Sequence, residues 1–279
     1  MTHPLMKIIK IGFIGAGNMT QALIKGILES KQIKNSQIYV SNRTPGKLVK
    51  LKELYPELNA RQYNEEIVDE CDIIILAMKR QDLPAAISEI SEKFREEQII
   101  ISLAAGININ ALEKIVPTGR LARMMPNTPA LIGRGVIGLL TQNMDESGSD
   151  LIHDIFKSLG VMLDVDTEDQ FDALMVSCSS GTGFVFEMMM YWQDWIQERG
   201  FTDEESKQMT IETFLGASLL AAQSAGIDIE ELQQRVTSKK GVTAAGLNSM
   251  RELEIERALR ISFEKASMRS QEISRQNQV

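Results

Sequence analysis

The stretch Ile11-Gly12-Phe13-Ile14-Gly15-Ala16-Gly17-Asn18-Met19-Thr20 passes from an aliphatic run through closely spaced glycines into helix-forming sequence. A strand, a tight turn and a helix start in that order make an anion-binding device. Gly15 permits the turn, and Gly17 lets the backbone approach a pyrophosphate. The helix opening near Asn18 and Met19 offers free N–H groups and the positive end of its dipole. Thr20 occupies the third position of G-x-G-x-x-G, where a small residue is normally wanted for close packing. A plain tight turn would use the same glycines for positive φ. The strand-turn-helix setting at the head of a βα unit favours a dinucleotide instead.

The second aliphatic run ends Ser41-Asn42-Arg43-Thr44. NAD-binding domains place an Asp or Glu near that point to hold the ribose 2′-hydroxyl. Here there is no carboxylate. Arg43 would pair with a 2′-phosphate, and Ser41, Asn42 and Thr44 would donate hydrogen bonds to it, so NADP is expected over NAD. Few other side chains compete for a chemical role. His3 and His153 read as structural or solvent-facing. Cys71 and Cys178 form no C-x-x-C pair, which argues against a disulfide framework or a metal site. Cys178 reads as a small buried residue. Glu187, on a very apolar helix, is the carboxylate placed to reach either a substrate pocket or a partner chain.

These residues need a scaffold. Lys7 to Ile14, Gln37 to Ser41, Cys71 to Ala77 and Gln98 to Leu103 read as strands. Arg120 to Met125 and Val136 to Leu140 are weaker candidates. Met19 to Ser30 and Leu83 to Phe94 are helix-length segments between them. Unbroken Ile and Leu runs mark strands covered on both faces, and their alternation with helices predicts a Rossmann-like, doubly wound parallel sheet of the α/β class. After about Asp166 the pattern becomes helical. Phe184 to Ile196 reads as a helix buried on most sides, Ile211 to Ala222 as a one-faced helix, and Thr243 to Ile273 as one final helix with Met250, Leu253 and Leu259 inward. The expected organisation is a dinucleotide-binding domain over 1–165 and a helical substrate and dimerisation domain over 166–279. So apolar a helical half is expected to meet a second subunit.

Composition narrows the class. The 279 residues carry 30 basic and 38 acidic side chains, a net charge of −8, with 43% hydrophobic and 5% aromatic residues. That balance opposes a nucleic-acid binder or an anionic-membrane patch. The longest unbroken apolar run, Ile73 to Met78, is far short of the ~20 residues of a bilayer span. The N-terminus lacks a charged-then-apolar leader, so a cytoplasmic protein is expected.

Several stretches together resemble the pyrroline-5-carboxylate reductase family. They are Leu76-Ala77-Met78-Lys79-Arg80-Gln81, Ile101-Ser102-Leu103-Ala104-Ala105-Gly106-Ile107 and Arg123-Met124-Met125-Pro126-Asn127-Thr128-Pro129-Ala130, in order with the glycine-rich turn. The family typically reads KPQ, IS-x-AAG and MPNTPA at these places, and the likeness runs from about residue 7 to 270. It implies an NAD(P)H-dependent oxidoreductase that reduces 1-pyrroline-5-carboxylate to L-proline, with Ala77, Lys79, Ala104, Ala105 and Asn127 at the cofactor. It also implies a homodimer or larger oligomer with the substrate pocket at the subunit interface.

The family's SPGGTT signature is similar to Ser238-Lys239-Lys240-Gly241-Val242-Thr243. Ser238, Gly241 and Thr243 match, and the resemblance assigns them to the substrate. Backbone N–H groups at the helix start would hold its carboxylate. The Thr243 hydroxyl would hydrogen-bond the ring nitrogen as the catalytic group, although Thr243 would also serve as a plain helix cap. Departures fall at Lys239 and Lys240, at Thr182 and Gly183 in a segment similar to S-G-S-G-P-A-Y, and at Arg80 where the family has Pro. They leave open a paralogue acting on another cyclic imine acid. A non-catalytic NADP sensor is a further alternative. A β-hydroxyacid dehydrogenase would need a catalytic lysine on the second domain, and none occurs between Lys157 and Lys207.

Overall fold

In the computed structural model, which describes residues 4–116 and 119–275, eight strands form one sheet. They are β1 (Ile11–Ile14), β2 (Ile38–Ser41), β3 (Asn59–Arg61), β4 (Ile73–Leu76), β5 (Ile99–Ser102), β6 (Arg120–Pro126), β7 (Gly135–Gln142) and β8 (Gly160–Asp164), in spatial order β3-β2-β1-β4-β5-β6-β7-β8. Neighbours are parallel except β6 and β7. Helices fill the connections: α1 (Asn18–Glu29), α2 (Pro45–Leu54), α3 (Asn64–Glu70), α4 (Leu83–Ser88), α5 (Ile109–Ile115), α6 (Glu146–Phe156) and α7 (Glu168–Leu174). A π-helical turn over Met175–Ser180 follows, then α8 (Gly181–Gln197), α9 (Asp203–Gln223), α10 (Ile229–Arg235), α11 (Val242–Glu252) and α12 (Ile255–Arg275).

The sheet is doubly covered because its sequence has no polar face to expose. Ile73 and Ile75 pack with Phe13, Ile24 and Phe156 on one side, while Ile74 and Leu76 pack with Ile100, Leu112 and Phe171 on the other. Successive side chains of a strand point to opposite faces, so an unbroken aliphatic run supplies both cores. The chain leaves β1 toward β2 and β3, then crosses back to β4. The crevice outside the carboxyl ends of β1 and β4 is the switch point where α/β sheets bind ligands.

Several sequence expectations are corrected. Pro4–Lys7 forms a 3₁₀ turn, so β1 starts at Ile11. β3 and β8 were not expected. β3 is a short, half-buried Asn-Ala-Arg, and β8 is an edge strand that leaves Val161 and Leu163 exposed, so neither has the aliphatic signal of its neighbours. The segment expected as one helix from Leu83 stops at Ser88 and resumes as a 3₁₀ turn over Ser91–Lys93. The break lets Ile90 and Phe94 join Leu83 and Ile87 in one core cluster. The last helix is likewise two, because Glu254 adopts a left-handed φ of 51° between α11 and α12.

The chain divides into two compact units, Met1–Ser179 with Ser267–Val279, and Ser180–Ala266. In the second unit, α8 and α9 pack along one another, with Trp192 edge-on to Phe214 at 5.4 Å, and Phe184 lies 5.4 Å from Phe263. Thr202 and Glu205 close a capping box at the start of α9. α8 is not the buried helix its composition suggests: Met188, Tyr191, Trp192 and Trp195 are exposed in the single chain, as are Met250, Leu253 and Leu259.

Candidate functional site

The glycine-rich turn joins β1 to α1. Gly15 has φ +108°, and a Cβ there would stand 3.0 Å from the Ala77 carbonyl carbon and oxygen, so only glycine fits. Its N–H donates to Ser41 O at 2.9 Å. Gly17 is the N-cap of α1, no side chain caps that end, and nothing lies within 4 Å of where its Cβ would be. The start of α1, at Asn18 and Met19, is therefore left without a side-chain cap, and such a helix start is suited to an anion. Thr20 is fully buried, and its hydroxyl donates to Gly15 O at 2.7 Å. The departure from the glycine fingerprint thus braces the turn.

The loop after β2 is tied to this turn. Asn42 Oδ1 accepts the Ala16 N–H at 3.0 Å, and its Nδ2 donates to Thr44 O at 2.8 Å. Ser41 is buried, and its hydroxyl donates to Asn64 Oδ1 at 2.8 Å. Both side chains have partners inside the fold, so they shape the loop. Arg43 stands out from it with its side chain 88% exposed, and its Nη1 lies 3.8 Å from Asp82 Oδ1. Thr44 is the N-cap of α2, but its side chain makes no cap bond.

The remaining expected cofactor residues lie on the loops leaving β4, β5 and β6. Ala77 donates its N–H to Ile14 O at 3.0 Å. Lys79 is exposed, and Arg80 Nη1 donates to Ile273 O near the end of α12 at 3.2 Å. Ala104 is buried with its N–H on the Ser102 hydroxyl at 3.3 Å, and Ala105 is exposed. Asn127 is buried: its Oδ1 accepts the Val136 N–H at 2.9 Å and its Nδ2 donates to Cys178 O at 3.2 Å. It clamps the π turn to the end of β6. Every one of these positions sits at the carboxyl ends of the strands, as a dinucleotide site requires.

In the second unit, Gly241 is the N-cap of α11 and its N–H donates to Ser238 O at 3.0 Å. A Cβ on Gly241 would fall 2.1 Å from Ser238 Oγ. Thr243 lies in the first turn, exposed, and is not the cap, which removes the plain capping role. Lys240 takes φ 59°, a left-handed backbone at the position where the family signature has glycine. On α8, Glu187 accepts the Tyr191 hydroxyl one turn on, which raises the Tyr191 pKa. His153 Nε2 lies 2.9 Å from Asp164 Oδ2, between α6 and β8.

Asn64, Asp82 and Glu168 escaped the sequence reading. Asp82 alone had a local signal, since Asp directly before Leu-Pro marks a helix start.

A Rossmann-type sheet with an uncapped glycine turn at its switch point, followed by an apolar helical unit, defines a dinucleotide-dependent oxidoreductase of the two-part kind. Residues 10–106 match the family described as NADP oxidoreductase, coenzyme F420-dependent, and residues 168–273 match pyrroline-5-carboxylate reductase dimerisation. A pyrroline-5-carboxylate reductase 2 of Bacillus subtilis is 33% identical over 273 residues, covering 96% of each chain. The solved pyrroline-5-carboxylate reductase of Coxiella burnetii matches with a TM-score of 0.89 at 28% identity, over 95% of this chain and 98% of that one. The Plasmodium falciparum pyrroline carboxylate reductase, solved with NADP bound, matches with a TM-score of 0.84 at 26% identity, over 96% and 98%. The chain belongs to the pyrroline-5-carboxylate reductase family.

Proposed function

We propose that this protein reduces the cyclic imine 1-pyrroline-5-carboxylate to L-proline, the last step of proline biosynthesis, with NADPH preferred to NADH. The uncapped start of α1 behind Gly15 and Gly17 is the observation that carries the reading. The first-turn N–H groups would hold the pyrophosphate, and Arg43 would meet the 2′-phosphate. Ala77, Lys79, Ala104, Ala105 and Asn127 would border the rest of the cofactor along the strand ends. When bound, the cofactor supplies a hydride to the imine carbon.

The protein's own task is to grip and orient. Ser238, Gly241 and the free N–H groups at the start of α11 would hold the substrate carboxylate, with the Thr243 hydroxyl hydrogen-bonded to the ring nitrogen while that nitrogen takes up a proton from solvent. No covalent nucleophile or metal enters this scheme. The division of labour would follow the sequence expectation, cofactor domain over 1–165 and substrate and dimerisation domain over 166–279. The exposed apolar faces of α8, α9, α11 and α12 would meet a second copy.

The helical run over Glu168–Gln197 is long and apolar enough to cross a membrane by length and composition, which uninterrupted apolar runs alone did not reveal. The dimer interface accounts for that apolarity, and a cytoplasmic location fits this reading. Lys239 and Lys240, two cations beside the carboxylate grip, support a second reading in which another cyclic imine acid is the substrate.

The test follows NADPH oxidation by absorbance, first with 1-pyrroline-5-carboxylate and then with six-membered and substituted cyclic imines. Turnover of the five-membered imine supports the first reading. Turnover of another imine alone supports the second, and NADPH binding without any turnover would leave a non-catalytic NADP-binding protein.

A further inference from the structure

Asp82 sits at the N-cap of α4, the position where an aspartate carboxylate ordinarily accepts an N–H from the first helical turn. Here no side-chain cap bond forms. Pro84 removes one of the N–H groups such a cap would use, because proline has none. The carboxylate instead points to Arg43, with Oδ1 3.8 Å from Nη1. Asp82 is 41% exposed at the side chain and Arg43 is 88% exposed, so the pair is loose and solvent-screened. An ion pair this exposed contributes little to stability.

We infer that Asp82 sets the strength of cofactor discrimination by occupying Arg43, and that it weakens the preference for the 2′-phosphorylated dinucleotide. The inference rests on the assignment of Arg43 to the 2′-phosphate. A phosphate arriving at Arg43 must displace Asp82 or share the guanidinium with it, and the two anions repel. A non-phosphorylated ribose meets neither cost. The geometry makes this a graded device. At separations of a few ångströms across water, a carboxylate opposing a phosphate costs about threefold in affinity at physiological salt, and more at low salt.

The test measures NADPH and NADH dissociation constants by titration calorimetry, without substrate, for wild type, Asp82→Asn, Arg43→Gln and the double variant. Asp82→Asn is expected to tighten NADPH about threefold, to leave NADH unchanged, and to lose its gain when Arg43 is also replaced. The gain should grow as salt is lowered. A gain equal for both cofactors, or one that persists without Arg43, overturns the inference. So does an inert Asp82→Asn while Arg43→Gln still loses NADPH selectively, in which case the Arg43 assignment stands alone. If Arg43→Gln weakens both cofactors equally, that assignment itself has failed. Thermal melting of Asp82→Asn checks that the fold is intact, and no loss is expected because the cap bond was never made.

Discussion

Arg123 of β6 is ion-paired with Glu168 in the first turn of α7, and its guanidinium lies 4.1 Å from the centre of the Phe171 ring. The Arg123 side chain is 3% exposed. Burial pulls its pKa down, and the charges of Glu168 and Asp172 push back. Glu168 Oε1 also accepts the Ile109 N–H at 2.6 Å, so one carboxylate joins β6, α5 and the helix that runs into the π turn. Removing one partner of a buried pair leaves an uncompensated charge, at about 3 kcal/mol or more. Glu168→Gln should therefore lower the urea midpoint markedly. A loss under about 1 kcal/mol would show that Phe171 and Asp172 carry Arg123 without Glu168.

Arg43→Asp removes the only expected cation of the 2′-phosphate grip and adds a repulsive charge. A hydrogen bond to a charged group contributes about 1.5–3 kcal/mol, so NADPH should weaken at least about tenfold while NADH changes little. Comparing KM for the two cofactors decides the matter. Equal losses would sink the assignment.

Thr243 is exposed in the first turn of α11 and leaves the cap to Gly241. Thr243→Ala should then cost activity without costing stability. One lost hydrogen bond at the reacting nitrogen predicts a fall in kcat/KM of roughly 10- to 100-fold with an unchanged melting temperature. Thr243→Ser should restore most of the rate. A variant that melts earlier, or keeps its rate, contradicts the role.

Arg61 and Glu70 form a two-pronged pair, at 2.6 and 2.8 Å, that ties β3 to α3. The Arg61 hydrogen bonds hold the Glu70 carboxyl below its usual value of 4.5. A carboxyl whose folded pKa is depressed adds stability above its unfolded pKa, and loses it as pH falls through the folded one. The stability gap between wild type and Glu70→Gln should be under about 1 kcal/mol at neutral pH and close below pH 4.5. A gap that does not change with pH would mean the pair contributes through packing.

Cys71 is buried, and desolvation first, then the charges of Glu70 and Asp72, push its thiol up to about 12. The reactive thiolate is therefore scarce at pH 8. In Cys178→Ser, a thiol reagent should label nothing until the protein is denatured. Prompt labelling of the native variant would show that Cys71 is accessible.

The parts of the fold legible in sequence were those where one local signal dominates. Ile73-Ile74-Ile75-Leu76 has to be a strand covered on both faces, and Gly15 through Met19 has to be a turn into a helix. β3 and β8 were hidden because edge strands need no apolar run. The break at Glu254 was hidden because neither Gly nor Pro marks it. The cofactor crevice was readable as motifs, but Ser41 and Asn42 were read as free donors. Their actual partners, Asn64 and Ala16, are distant in sequence, and only the folded chain brings them together. Exposure misled in the other direction on α8, where an apolar sequence signals burial without saying whether the cover is this chain or another.

The bond from the Ala16 N–H to Asn42 Oδ1 makes the glycine-rich turn and the loop after β2 one mechanical piece. Aspartate at position 42 would keep that acceptor but would set its second carboxylate oxygen against Thr44 O, where the amide now donates at 2.8 Å. It would also place a carboxylate at the end of β2, where NAD-binding domains carry theirs. A single amide-to-acid exchange would thus bring in the carboxylate only by straining the loop behind the turn, so the amide at this corner is held in place by the fold before any ligand arrives.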